Sequence, residues 1–168
     1  MTNNITYNQL IAIFEDFQKR HYNLYTFFSG DIYKLEDKED IQYPLLAVFP
    51  GNVTANKTNE YIRSISYNYN IIVGDVLKND DTNEDELRSD TLQIIMDLLA
   101  ELNQDPFYQS NNIIIETSSN CEPFTEKLDD IITGWNVGIT IIVPFKYTPC
   151  TAPHTKKTLT ELIESCNV

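Results

Sequence analysis

Residues Leu128–Pro149 read LDDIITGWNVGITIIVPFKYTP. Within this stretch Trp135, Val137, Ile139, Ile141 and Val143 fall on every second position, and Asn136, Gly138 and Thr140 take the alternate ones. A period of two predicts a strand with one buried face. Gly134 is expected to mark the entry to that strand, and Pro144, which has no N–H for a ladder, to stop it. The stretch carries no nucleophile, metal-ligand set or phosphate loop, so it speaks to architecture and not to chemistry.

Upstream, the spacing predicts a helix from about Asn83 to Asn103. Its buried stripe is Leu92, Ile95, Met96, Leu99 and Leu102, with Leu98 at the edge. Thr82 and Asp85 resemble a capping box, the shorter Asp standing in for Glu. Asn112–Thr117 reads as a β-branched strand, and Glu122–Asp130 as a polar, hairpin-like connection into the Trp135 strand. Nearer the start, Tyr7–His21 is an amphipathic helix with Thr6 as N-cap and Leu10, Ile13, Phe14 and Phe17 on one side. Leu24–Leu35 reads as a strand broken at Ser29–Asp31. Pro44–Phe49 is a short apolar strand, which Pro50-Gly51 should end in a turn.

Tyr61–Val76 is the longest strand candidate. Tyr61, Arg63, Ile65, Tyr67, Tyr69, Ile71 and Val73 share one face. At about 3.3 Å per residue it would span roughly 50 Å, more than a compact domain of this size allows. Part of Asn52–Tyr69 is therefore expected to project or bend, with Val53–Glu60 as the hairpin tip or a loop. The order of elements does not alternate strand with helix, which argues against a doubly wound parallel sheet. The expected fold is α+β: a mostly antiparallel sheet packed by two helices, with a long protruding β-hairpin. Residues 1–150 form the single domain, and 151–168 a C-terminal extension in which Thr158–Ser165 has a short helical pattern.

The chain has 168 residues, 42% of them apolar, which suits one core. Its net charge of −13 argues against ordinary nucleic-acid binding, which needs a basic patch. Three cysteines, Cys121, Cys150 and Cys166, lack close metal-ligand spacing and read as free thiols. Met1–Thr6 is polar with no apolar run after it, so no secretory signal is expected. No apolar run approaches the roughly 20 residues of a membrane helix.

The chemical motifs fall away one by one. Asp81, Asn83 and Asp85 alternate like a calcium loop, but Glu86 stands where a glycine is needed and Leu92 where a bidentate Glu is needed. An acid-rich helix start accounts for them better. His21 and His154 have no Cys or acid at ligand spacing. Cys150 with His154 lacks the setting that activates a thiol. Asp129 and Asp130 fit a solvated turn better than a glycosidase pair. No dinucleotide, nucleotide or hydrolase signature occurs. The expected catalytic, cofactor and metal sets are therefore empty. Tyrosine is the unusual abundance, with ten in the chain. A packed sheet face explains Tyr61, Tyr67 and Tyr69. A subunit interface explains them too, since Tyr joins a large apolar area to a polar tip. The interface candidates are Tyr61, Arg63, Tyr67, Tyr69 and Val53.

Asp129-Asp130-Ile131-Ile132-Thr133-Gly134-Trp135-Asn136-Val137, the alternating strand to Val143-Pro144-Phe145, and Cys150 after it resemble the ending of tail-completion or tail-terminator proteins of tailed bacteriophages. The acid-capped helix Thr82–Asn103 before that ending, and the opening helix followed by a strand meander, resemble the same family in pattern over Tyr7–Cys150. A crAss-like neck or tail ring protein falls within this likeness. The extension Thr151–Val168 departs from it. The resemblance implies a homo-oligomeric ring at the head–tail junction, around a channel through which DNA passes without specific binding. It also implies contacts with other neck, tail or portal-associated proteins, no membrane, no cofactor and no catalysis. The location implied is the virion, assembled in the host bacterial cytoplasm. Two other classes compete: a small acidic intracellular inhibitor or binding module, and an enzyme acting on a small molecule.

Overall fold

The computed structural model describes residues 5–36, 40–58, 61–78, 82–127 and 131–145. Cys150, His154, Cys166, Asp80, Asp81, Asp129, Asp130 and the whole extension 151–168 lie outside them. The elements run α1 (Tyr7–Arg20), β1 (Thr26–Ser29), α2 (Ile32–Glu36), β2 (Leu45–Thr58), β3 (Tyr61–Val76), α3 (Glu84–Gln104), α4 (Pro106–Ser110), β4 (Ile114–Lys127) and β5 (Ile131–Pro144). The fold is α+β, with one five-stranded sheet in the order β1-β2-β3-β5-β4. Among the described residues β1–β2 is the one parallel pairing, and the other three are antiparallel.

The β5 alternation places Val137, Ile139, Ile141 and Val143 in the core. They lie beside Ile71, Tyr69, Tyr67 and Ile65 of β3, all on the face that α1 and α3 cover. Trp135 is half-buried against the same core, and its indole Nε1 donates to the carbonyl of Arg88 in α3 at 2.7 Å. That bond satisfies the one polar group of the ring where the helix crosses the sheet. Leu10, Phe14 and Phe17 of α1 complete the layer. Thr6 caps α1 with a full capping box: its Oγ1 accepts from the Gln9 N–H, and Gln9 Oε1 accepts from the Thr6 N–H at 2.8 Å. A smaller cluster, Leu35, Leu45 and Ala47 with Phe28, Phe49 and Ile72 against it, covers one end of the opposite face.

Several expectations are corrected. Pro50-Gly51 does not end a strand; β2 runs through it as a bulge, Gly51 and Asn52 opposing Asn68, whose side-chain amide donates to the Asn52 carbonyl at 2.9 Å. Proline costs nothing there because a bulge already breaks the ladder. Glu122–Lys127 is not a connection but the second half of β4, paired with β5. Gly134 sits within β5, not at its entry, opposite Gly74. A Cβ at Gly134 would run into the Val73 carbonyl oxygen and the Gly74 Cα, so two backbones meet where no side chain fits.

The N-cap of α3 is Asn83, and its side chain accepts from the Lys78 N–H at 3.0 Å instead of capping the helix. The buried face of α3 is Thr91, Ile94, Ile95, Leu98 and Leu102. Met96 is exposed, and Leu92 and Leu99 are only half-buried. Leu98 is thus central where the periodicity placed it at the edge. Thr91 masks the true axis of the stripe. It is polar in sequence but fully buried, its hydroxyl donating to the Leu87 carbonyl at 2.6 Å.

Candidate interaction surface

Two features stand out once the core is accounted for: a sheet edge and a polar face that no described element covers.

β2 and β3 form a hairpin from Leu45↔Gly74 out to Thr58↔Tyr61. β1 covers the other side of β2 only from Leu45 to Val48. Beyond Val48, no other strand among the described residues pairs with the free side of β2. From Pro50 to Ala55 every residue is exposed, and Val53 is 58% exposed. The inner strand of the hairpin is less free than the sequence suggested, because β3 pairs with β5 continuously from Val76 to Ser64. The length of β3 is therefore absorbed by two neighbours over most of its run, and it is β2 that lies at the margin. Near the far end Arg63 forms a second bulge, its carbonyl accepting from the Phe145 N–H at 2.8 Å.

The interface candidates separate on this frame. Val53 and Arg63 are exposed. Tyr61 opens β3, and its side chain lies outside what is described. Tyr67 is half-buried against the core. Tyr69 is buried, its ring packed edge-on against Phe14 at 5.5 Å between centroids and tilted against Tyr7. Tyr69 is thus a core residue of its own chain. Its hydroxyl is buried without a partner among the described residues, and burial holds it well above the usual phenol range. The period of two brought Tyr67 and Tyr69 to one face correctly. What it could not say was that α1 would cover that face.

The polar face lies on the far side of the sheet from α1 and α3. Register puts Asn68 beside Thr140, and Thr140 beside Glu116, and the Thr140 hydroxyl donates to Asn68 Oδ1 at 2.7 Å. Gly138 leaves a gap there, flanked by Asn70 and by a bulge in β4 where residues 118–120 oppose Gly138 alone. Ser118 fills the bulge: its Oγ accepts from the Gly138 N–H at 3.1 Å and donates to the Asn120 carbonyl at 2.9 Å. Two shallow depressions result, of about 250 and 370 Å³, lined by amides, hydroxyls and the carboxylates of Glu116 and Glu122. The period of two sets Asn68 and Asn70 on one face of their strand and Asn136, Gly138 and Thr140 on one face of theirs, and the structure agrees. What it could not give was the pairing of β3 with β5, and of β5 with β4, that joins them into one surface.

Among the described residues, His21 lies at the end of α1, 3.4 Å from Asp97 of α3, and Cys121 is half-buried with its thiol pushed up by burial. Asn83 is turned to Lys78, while Asp85 and Glu86 occupy the first turn of α3, where the helix dipole favours acids. No group of three or more His, Cys, Asp or Glu side chains converges as a metal site among the described residues, and no described helix is long and apolar enough to cross a membrane. The sequence matches no model of a known protein family, and no curated protein is detectably similar to it.

Proposed function

We propose that this protein is a structural subunit of a tailed-phage virion, assembling into a ring at the head–tail junction or in the tail as part of the DNA conduit. The observation that carries the reading is the β2–β3 hairpin, whose outer half presents, among the described residues, an open backbone edge and an exposed Val53. A long open edge on a soluble domain is a template for pairing with another chain. The resemblance of the Gly134-Trp135 ending to tail-completion proteins supplies the context, and the net charge of −13 suits a wall past which DNA must slide. A tail-terminator role and another neck-ring role both fit. The test is the mass of the purified protein in solution. A discrete closed multimer is expected, and a monomer at micromolar concentration overturns the reading.

A second reading is favoured by the polar sheet face. Amides and carboxylates on an acidic chain suit a small inhibitor or binding module that presents acids to a basic partner. A monomer that captures a basic protein would establish it.

A further inference from the structure

The free run of the β2 edge is symmetric about one residue. β1 covers β2 as far as Val48, whose carbonyl accepts from the Gly30 N–H at 3.2 Å, and the strand ends at Thr58. Between them Pro50–Thr58 has no strand on its outer side among the described residues, and Thr54 is the midpoint. The direction of the backbone groups follows from register. The Arg63 carbonyl is turned to the Phe145 N–H at the end of β5. The odd-numbered residues of β3 from Arg63 on therefore face β5, and the even-numbered ones, Ser66 among them, face β2. Ser66 pairs with Thr54, so Thr54 is bonded inward, and the N–H and C=O of Val53 and Ala55 point out from the edge.

The run is also without charge. Pro50 to Asn56 reads PGNVTAN in a chain of net charge −13. Two such chains repel over most of their surface and meet most easily where acids are missing. The other open edge, β4, exposes Glu116, Glu122 and Glu126, with Pro123 among them, and such residues blunt an edge. On β2 they stand only at the margins, as Pro50 and Lys57.

We propose that the β2 edge pairs with the same edge of a second copy of this chain, antiparallel and about a two-fold axis at Thr54. Thr54 then lies opposite Thr54 of the second copy, Val53 opposite its Ala55, and Asn52 opposite its Asn56. The outward groups of Val53 and Ala55 bond each other on both sides of the axis, and the Val53 side chain, 58% exposed in one chain, gains the second copy's Ala55 as a neighbour. The second copy's hairpin turns away after Thr58, opposite Pro50, so it stops short of the Leu45–Val48 level that β1 occupies. Such an isologous contact closes on two copies. It goes beyond the ring reading and stands without it; a ring that contains it has an even number of subunits.

A pair of this kind brings its Cα atoms to about 4.5 Å, within disulfide reach. In a chain with Cys121, Cys150 and Cys166 replaced by Ser, Thr54→Cys should on mild oxidation give a covalent dimer and nothing larger. Asn52→Cys should not, because in this register its two copies are about 14 Å apart. A native multimer from which Thr54→Cys gives no covalent dimer overturns the contact and leaves the ring reading standing, as does an odd number of subunits. Equal cross-linking through Asn52→Cys also overturns it. A native dimer that cross-links through Thr54→Cys and grows no further bears out the contact and counts against the ring, and a monomer overturns both. Should the cysteine-free chain fail to fold, the natural chain gives a second measurement. Thr54 is exposed, so Thr54→Lys and Thr54→Glu should keep the fold by circular dichroism. Each alone puts like charges on the axis and should weaken pairing about tenfold or more, and mixing the two should restore it. Association unchanged in either variant, or not restored by mixing, overturns the proposal.

Discussion

Single residues show where this fold tolerates no change and where it gains from one. Tyr69 buries a hydroxyl with no partner among the described residues, and an unsatisfied buried polar group costs about 1–3 kcal/mol. Tyr69→Phe keeps the ring against Phe14 and removes that group, so the melting temperature should hold or rise. A fall would show that the hydroxyl has a partner in solution. Gly134→Ala should do the reverse, because its Cβ has nowhere to go between the Val73 carbonyl and Gly74. The variant should be insoluble or destabilised by several kcal/mol, as overpacking against backbone cannot relax by a rotamer change. Asp75 offers a pH test. Burial raises its carboxyl above the usual range, the Val76 N–H opposes that, and the nearby Asp90 adds to it. A raised folded-state value means the native state holds its proton longer than the unfolded chain. Stability contributed by Asp75 is therefore present at acid pH and lost as pH rises from about 3.8, the unfolded value, through the folded one. Asp75→Asn should raise the melting temperature at pH 7 and leave it little changed below that window. Denaturation followed across pH checks this.

At the scale of elements, what was legible in the sequence depended on how unambiguous its pattern was. The Trp135 strand was legible because four β-branched residues alternate with small and polar ones. Its partner β3 was legible for the same reason from Ile65 to Val73, while the bulge at Arg63 breaks the alternation that had set Tyr61 and Arg63 on the same face. Thr6 gave away the start of α1 because its hydroxyl has one good use there. The bulges were not legible. Pro50-Gly51 is a strong local turn signal, and only pairing with β3 keeps β2 extended through it, a tertiary effect overriding a local preference. Glu122–Lys127 failed likewise: it is polar on an edge strand, where solvent and not core selects residues. The α3 stripe was misjudged through Thr91, a core residue in polar form. The helix therefore supplies a direct prediction. Leu98→Ala should cost about 2–5 kcal/mol, Leu92→Ala distinctly less, and Met96→Ala close to nothing. Urea denaturation of the three variants measures the order. A Met96 effect equal to that of Leu98 would mean that α3 turns a different face to the sheet. The candidate surface was less legible than the fold, because an open edge is a property of what fails to pack beside a strand. A sequence records the strand and not the vacancy next to it.

The whole molecule carries 25 acidic and 12 basic side chains, and the described basic ones are partly spoken for. Arg20 holds Asp16 and Glu101, Lys19 holds Glu15, and Arg88 holds Glu84, so these cations neutralise neighbours and do not form a patch. Lys57 and Arg63 lie exposed near the outer end of the hairpin. Phosphates in a channel lined by such subunits would meet repulsion over the Debye length, about 8 Å at 0.15 M salt, and few points of attachment. The purified assembly should therefore show no measurable binding to labelled duplex DNA at that salt. Micromolar or tighter binding by the assembly, falling steeply with salt, would mean that a basic surface exists where this arrangement puts none, and the conduit reading would fall with it.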